Sequence, residues 1–461
     1  VGLYRPDEGE VYLGGTRADI QSPRDAAALG IGMVHQNFML IETMTVAENI
    51  VLGMAGLPFV PDMRRVGDGV RQLSARYNLQ VDPDVYIWQL SVGEQQRVEI
   101  LKLVYRGAQV LILDEPTAIL TPQEADELAA ILRRMTAEGK SAVFITHKME
   151  EVMAFSQRVV VLRQGRVATT RRTAETNPRE LAQLMVGREV LFQPARTPCR
   201  PGQDVLQITD LHAENDKGLP ALRGTSFAIR EGEILGIAGV AGNGQRELAE
   251  AITGLRKALA GTVSLCGRDV TNRPPLEIIR AGASHIPEDR MGMGLVGNMA
   301  VAENLAMKGY RRPPLARMGV LRHRSILDFA RRMIDLFRIA TPSPHTPAKF
   351  LSGGNLQKTI LAREITAGGK LLVAVHPTRG LDVGATEAVR KMLLEERDKG
   401  KAVLLISEDL DELLAISDRI AVLFEGEIMG IVPAREADVQ SLGLMMAGAR
   451  AASAEPGSHA R

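Results

Sequence analysis

The feature that most constrains this chain is that it says the same thing twice. "MTVAENIVLG" from Met44 returns as "MAVAENLAMKG" from Met299, and "LSVGEQQRVEILK" from Leu90 returns as "LSGGNLQKTILAR" from Leu351. "VLILDEPTA" from Val110 corresponds to "LLVAVHPTR" from Leu371, "VFITHKMEEV" from Val143 to "LLISEDLDEL" from Leu404, and "RVVVLRQGRV" from Arg158 to "RIAVLFEGEI" from Arg419. Order and spacing are kept throughout, so the chain must fold as two copies of one domain. Each half alternates short Val/Ile/Leu-rich runs with amphipathic stretches, the pattern of an α/β domain whose mostly parallel sheet is covered by helices. Between the "AEN" and "LS" motifs each half carries a mainly helical insert, such as "SILDFARRMIDLFRI" from Ser325.

The halves are unequal at their starts. "GLYRPDEGEVYLGG" from Gly2 aligns with "GLRKALAGTVSLCG" from Gly254, and the second half has roughly fifty residues before that point with no counterpart in the first. In the second half those residues include "EILGIAGVAGNGQRELAEAITGL" from Glu233, an apolar strand, a glycine-rich turn and a helix, which is the rhythm of a phosphate-binding loop. The repeat therefore predicts a first domain over 1–190 that begins in mid-domain, without its phosphate loop. A Pro-rich polar linker follows over 191–203, then a second domain over 204–448 and a small-residue tail over 449–461.

Composition narrows the setting. Lys+Arg 56 against Asp+Glu 55 gives a formal charge of +1, without the basic excess of a dedicated nucleic-acid binder. Two cysteines, Cys199 and Cys266, make neither a disulfide framework nor a zinc site, which predicts a reducing compartment. No apolar run is long enough to cross a bilayer and the start lacks a signal-peptide pattern, so a cytosolic chain is expected whose membrane association comes through a partner.

The densest chemistry lies in "VLILDEPTA". An apolar strand ending in Asp114-Glu115 delivers two carboxylates to a sheet's C-terminal edge, where one can hold Mg²⁺ and the other can polarise an attacking water. A strand ending in acidic turn residues before Pro116 is the bland alternative, disfavoured by the motifs about twenty residues upstream and thirty downstream. His147, after the apolar run "AVFIT", is placed to contact a terminal phosphate and position the water. Gln36, read as lying between two strands of the repeat, could reach the Mg²⁺. "LSGGN" opens a helix, whose first-turn N–H groups and positive dipole end suit phosphate oxygens, with Ser352 as a simple N-cap on the bland reading.

With these motifs in hand, the chain resembles a two-domain ATP-binding subunit of an ABC importer, in the group that serves simple sugars and nucleosides. "SPRDAAALGIGMVHQNFML", "LSVGEQQRVEILK", "GVAGNGQ", "IPEDR" and "PTRGLDVGA" look most like its nucleoside branch. The resemblance implies two tandem ABC-type P-loop NTPase domains, with ATP and Mg²⁺ as cofactors. Its partners would be two transmembrane permease subunits and an extracytoplasmic solute-binding protein, at the cytoplasmic face of the membrane, with no span of its own and no nucleic acid. It also implies two unequal sites between the halves. One would set Gln36, Asp114, Glu115 and His147 opposite Ser352, Gly353, Gly354 and Asn355, with Asp114 and Gln36 at the metal. The other would set Gly239, Gly242 and Gly244 opposite Ser91 and Gly93. At this second site Gln245 stands for the lysine, Val375 for the metal-binding aspartate and His376 for the catalytic glutamate, while Glu288 and Glu408 occupy the places of Gln36 and His147. Hydrolysis is therefore expected at the first site, whose phosphate loop this sequence does not contain. A non-hydrolysing regulatory or scaffold protein, or an inactive fragment, is the alternative. A soluble ABC ATPase of translation or DNA repair would carry a long charged linker or zinc-spaced cysteines, which this sequence lacks.

Overall fold

The computed structural model describes residues 1–450 except 37, 55, 118, 119, 121, 164, 188–195 and 241, and the side chains of residues 122 and 123. The chain divides into two compact units, Val1–Glu189 and Val190–Arg461. The expected linker over 191–203 is thus only partly described, and its remainder is held by the second unit. Arg196 donates to the carbonyls of Leu414 at 3.2 Å and Ser417, and Thr197 Oγ1 donates to Asp398 at 2.8 Å. Arg397, fully buried, donates to the Thr197 carbonyl at 3.1 Å and pairs with Asp418 at 3.0 Å. Most of the expected tail, residues 451–461, lies outside the described residues.

The second unit is built on a six-stranded sheet in the order 283–286, 371–375, 402–407, 234–238, 419–424, 427–433, parallel except for its last strand. All residues of the Ile234–Ala238, Leu371–Val375 and Ala402–Ser407 strands are buried, as continuous apolar runs must be when both faces of a sheet are covered. Side chains alternate between the two faces: Leu372 and Ala374 join one apolar cluster, and Leu371, Val373 and Val375 join the other. A four-stranded antiparallel sheet, in the order 268–269, 260–265, 204–214, 220–230, completes the unit. The expected helical insert is the His323–Leu336 helix, which buries Ile326 and Ala330, one turn apart on one face.

In the first unit the corresponding strands Ile31–Val34, Val110–Asp114 and Ser141–Ile145 pair in parallel, and Arg158–Arg163 and Arg166–Arg172 form a separate antiparallel pair. Among the described residues the two groups do not join. In the second unit the Ile234–Ala238 strand bonds to both neighbours at this point, and no strand among the described residues of the first unit takes its place. Side chains that are sealed in one unit are therefore open in the other. Val143 is 49% exposed and Leu162 66%, whereas their counterparts Leu404 and Leu423 are fully buried. The insert of this unit is the Met63–Tyr77 helix, started by Asp62 accepting from the N–H groups of Arg64 and Arg65 and stopped by Asn78 in the left-handed conformation. No helix among the described residues is long and apolar enough to cross a membrane.

Candidate functional site

The Val110–Asp114 strand ends at a sharp turn. Glu115 has φ 45°, a left-handed conformation unusual for a residue with a side chain, and its N–H donates to the Ile145 carbonyl at 2.9 Å. Strain of this kind persists only where the surroundings hold it, and it is common at functional sites. Here it brings the Glu115 carboxylate between two polar side chains: His147 Nδ1 lies 2.9 Å from one oxygen, and Gln36 Nε2 donates to the other at 3.0 Å. Gln36 follows the Ile31–Val34 strand, and the next regular element is the Val46–Val51 helix, so the expected position between two strands is corrected to a strand-to-helix loop. Asp114 is the neighbouring group. Burial first, and then the Glu115 charge, raise its pKa above the ordinary carboxylate value, with His35 opposing. Asp114, with its charge disfavoured beside a second carboxylate, is a group that a cation would relieve.

A second layer of residues holds this turn, and sequence reasoning missed it. Buried Glu151 accepts from Thr117 Oγ1 at 2.5 Å and from Thr146 Oγ1 at 2.9 Å, and Lys148 Nζ lies 3.2 Å from it. The network ties the residues just after Glu115 to the residues just before and after His147. The repeat carried the signal, because the second unit has the same arrangement: Glu412 accepts from Thr378 at 2.6 Å and Ser407 at 2.7 Å. Glu151→Ala should strand two hydroxyls and destabilise the first unit by about 2–3 kcal/mol. Thermal unfolding would read this as a fall of roughly 4–12 °C, and a change below about 1 °C would refute the role.

The second unit keeps the backbone of the site and replaces its chemistry. His376 has φ 44° and its N–H donates to Ile406 at 2.8 Å, the same geometry as Glu115. Burial lowers its pKa, with Glu288 and Glu408 opposing. Glu288 pairs with Arg379, so it does not reach across as Gln36 does. Val375 is buried and offers no ligand.

The glycine-rich loop of this unit is built for close approach. A Cβ on Gly239 would fall 2.6 Å from Gln245 Nε2, and one on Gly244 would fall 2.4 Å from the Ala221 carbonyl. Gly242 and Gly244 have φ 88° and 104°, which glycine adopts without penalty. Gln245 sits buried beneath the loop, and its Nε2 has no hydrogen-bond partner among the described residues. A buried donor without a partner is costly, which marks this loop as shaped for an acceptor.

The helices opened by "LSVGE" and "LSGGN" differ at their starts. Ser91 caps the Val92–Tyr105 helix, accepting from Glu94 N–H at 3.3 Å, while Glu94 accepts from Ser91 N–H at 2.7 Å. Gly93 lets the Glu124 carboxylate lie against the helix start, since a Cβ there would fall 2.0 Å from a Glu124 carboxylate oxygen and displace that side chain. Ser352 precedes the Gly353–Thr366 helix but makes no side-chain cap. Its hydroxyl accepts instead from Asn355 Nδ2 at 2.9 Å, and Asn355 Oδ1 accepts from Ala340 N–H at 2.8 Å. The simple N-cap is thereby corrected, and the first-turn N–H groups of Gly353 and Gly354 have no side-chain acceptor among the described residues.

The family model for ABC transporters matches residues 1–118 and 222–379, one stretch in each unit. The chain belongs to the ABC transporter family, and both units carry its P-loop NTPase fold. Within that family it stands with the ATP-binding subunits of sugar and nucleoside import systems. It is 47% identical to the nucleoside import ATP-binding protein NupA of Lactococcus lactis over 448 residues, 97% of this chain and 88% of that protein. It is 48% identical to the guanosine import ATP-binding protein NupO of Bacillus subtilis, with the same coverage of both chains. It is 45% identical to the glucose import ATP-binding protein TsgD13 of Haloferax volcanii, over 100% of this chain and 89% of that one.

Proposed function

We propose that this chain is the ATPase subunit that powers import of nucleosides or simple sugars, and that hydrolysis belongs to the site of Glu115. The observation that carries this reading is the convergence of Gln36 and His147 on one carboxylate at a strand's end. Glu115 would take a hydrogen bond from the attacking water and polarise it, and His147 would orient that water and contact the terminal phosphate. Asp114 and Gln36 would hold Mg²⁺, which when bound neutralises charge developing on the phosphates. Among the described residues no three His, Cys, Asp or Glu side chains could hold a metal together, which suits an ion that takes one or two carboxylates and completes its shell with water and phosphate. Ser352, Gly353, Gly354 and Asn355 would present the uncapped helix start to the phosphates of that site, and Ser91 and Gly93 would serve the second one.

The second site, with Gly239, Gly242 and Gly244, would cradle phosphate without hydrolysing it. A neutral amide replaces the lysine, and neither Val375 nor His376 can hold a metal carboxylate's charge or activate water as Glu115 does. Gln245→Lys alone should therefore leave multiple-turnover hydrolysis at background, and robust turnover from that single change would contradict the assignment.

The partners would be two transmembrane permeases and an extracytoplasmic solute-binding protein, with this chain at the cytoplasmic face. Met39 and Ile41, just after Gln36, and Trp88 are exposed apolar side chains suited to receiving a permease loop. Co-expression with the permeases should carry the chain into the membrane fraction, from which detergent releases an assembled complex. An equal distribution with and without them would count against an importer role.

A further inference from the structure

One charged surface belongs to neither site. From residue 304 to residue 327 the sequence has no Asp or Glu but six Lys or Arg, in a chain whose formal charge is only +1. Lys308 is turned inward onto buried Glu364. Arg311, Arg312, Arg317, Arg322 and Arg324 are all exposed, and none makes an ion pair within the described residues. Arg317 lies in, and the other four flank, a hairpin of Ala316–Arg317 with Val320–Leu321, whose two-residue turn is Met318-Gly319. Both turn residues are left-handed, with φ 52° and 79°, a geometry that favours Asn or Gly at the first position. Methionine there is the wrong residue for the turn, and it is 94% exposed, with Val320 at 69%. Arg317 and Val320 face each other across the ladder and so project from the same side. Ahead of its insert helix the first unit has no such run: residues 52–62 carry no Lys or Arg, and only Arg64, inside that helix, matches one of the five, Arg324.

We infer that this hairpin is a membrane-surface anchor, in which the five arginines engage anionic phospholipid headgroups while Met318 and Val320 enter the headgroup–acyl boundary. The composition fits an interface that is charged at headgroup depth and apolar just beneath it. A nucleic acid would satisfy the arginines but leave the apolar tip unexplained, because phosphate contacts need no methionine held in an unfavourable turn. The hairpin would give the chain a lipid contact of its own, in addition to any made through permeases, and it stands or falls independently of the import reading.

The test is flotation of the full 461-residue chain with vesicles, without permeases. Vesicles of phosphatidylcholine with phosphatidylglycerol should retain the chain, vesicles of phosphatidylcholine alone should not, and retention should fall as salt rises. Each basic residue at such a surface is worth about fivefold in partitioning, so R317Q/R322Q/R324Q should weaken binding by about 100-fold. These side chains are exposed and unpaired, so the far-UV circular dichroism of the variant should match the parent. M318L should bind as the parent does, whereas M318D should weaken binding by about 10-fold or more. M318W in a W88F background should shift its tryptophan emission to the blue on anionic vesicles only. Equal retention on both lipid compositions, or unchanged binding by the triple-glutamine variant, would overturn the inference. So would capture on duplex RNA without vesicle retention, or loss of permease assembly in the triple variant with vesicle binding intact.

Discussion

Joined to a preceding strand and phosphate loop, these 461 residues should hydrolyse ATP, and their first unit should melt at a higher temperature than it does without that segment. The fused segment, roughly fifty in-frame residues ending in GxxxxGK[ST], would bring backbone amides and a lysine for the β- and γ-phosphates and a hydroxyl for Mg²⁺. Among the described residues the glycine-rich loop that includes Gly242 and Gly244 belongs to the second unit, where Gln245 stands in the lysine position. The added strand has a place to go. It would lie between Ser141–Ile145 and Arg158–Arg163, as Ile234–Ala238 lies between its neighbours, and would cover Val143, Ile145, Val160 and Leu162. Covering four half-exposed apolar side chains is worth about 1 kcal/mol each, and the new ladder adds to this. A gain of about 5 kcal/mol corresponds to a rise of roughly 10–20 °C in the unfolding temperature of the first unit. Calorimetry of the two forms should show that rise, and phosphate release should be negligible for the shorter form. Equal melting and equal activity would contradict this account of the first unit.

In that fused form, Glu115→Gln should lower steady-state turnover by about 10²–10⁴-fold, the usual worth of a positioned general base. Glutamine keeps the volume and can still pair with Gln36 and His147, so ATP affinity should stay within a few-fold and nucleotide should remain trapped rather than released. Equilibrium binding of a fluorescent ATP analogue, set beside phosphate release, separates the two effects. A variant that loses binding as much as turnover would show that Glu115 builds the site rather than acts in it.

Much of this architecture is legible in the residues because each half repeats the other. The Val110–Asp114 and Leu371–Val375 strands, the helices at Ser91 and Ser352, and the inserts at Met63 and His323 all fall where the repeated motifs put them. The meeting of Gln36, Glu115 and His147 is legible too, because strand ends converge at one edge of a parallel sheet. Three things are not. The buried Glu151 network looks in sequence like ordinary first-turn acidity of a helix, and only the matching Glu412 hints that it faces inward. The uncapped Ser352 depends on Asn355 reaching both it and Ala340, a contact between residues fifteen apart that no local rule predicts. The left-handed turn at Glu115 and His376 is set by tertiary bonding to Ile145 and Ile406, against the preference of either residue.

The assignment of hydrolysis to one carboxylate is tested most directly by comparing two substitutions at equivalent positions of the repeat. In the fused form assembled with its permeases, phosphate release would be measured for the parent, Glu115→Gln and His376→Ala. The account predicts loss of at least about 100-fold for Glu115→Gln and turnover within twofold of the parent for His376→Ala. Sustained turnover in Glu115→Gln, with collapse in His376→Ala, would place the chemistry in the second unit and contradict it.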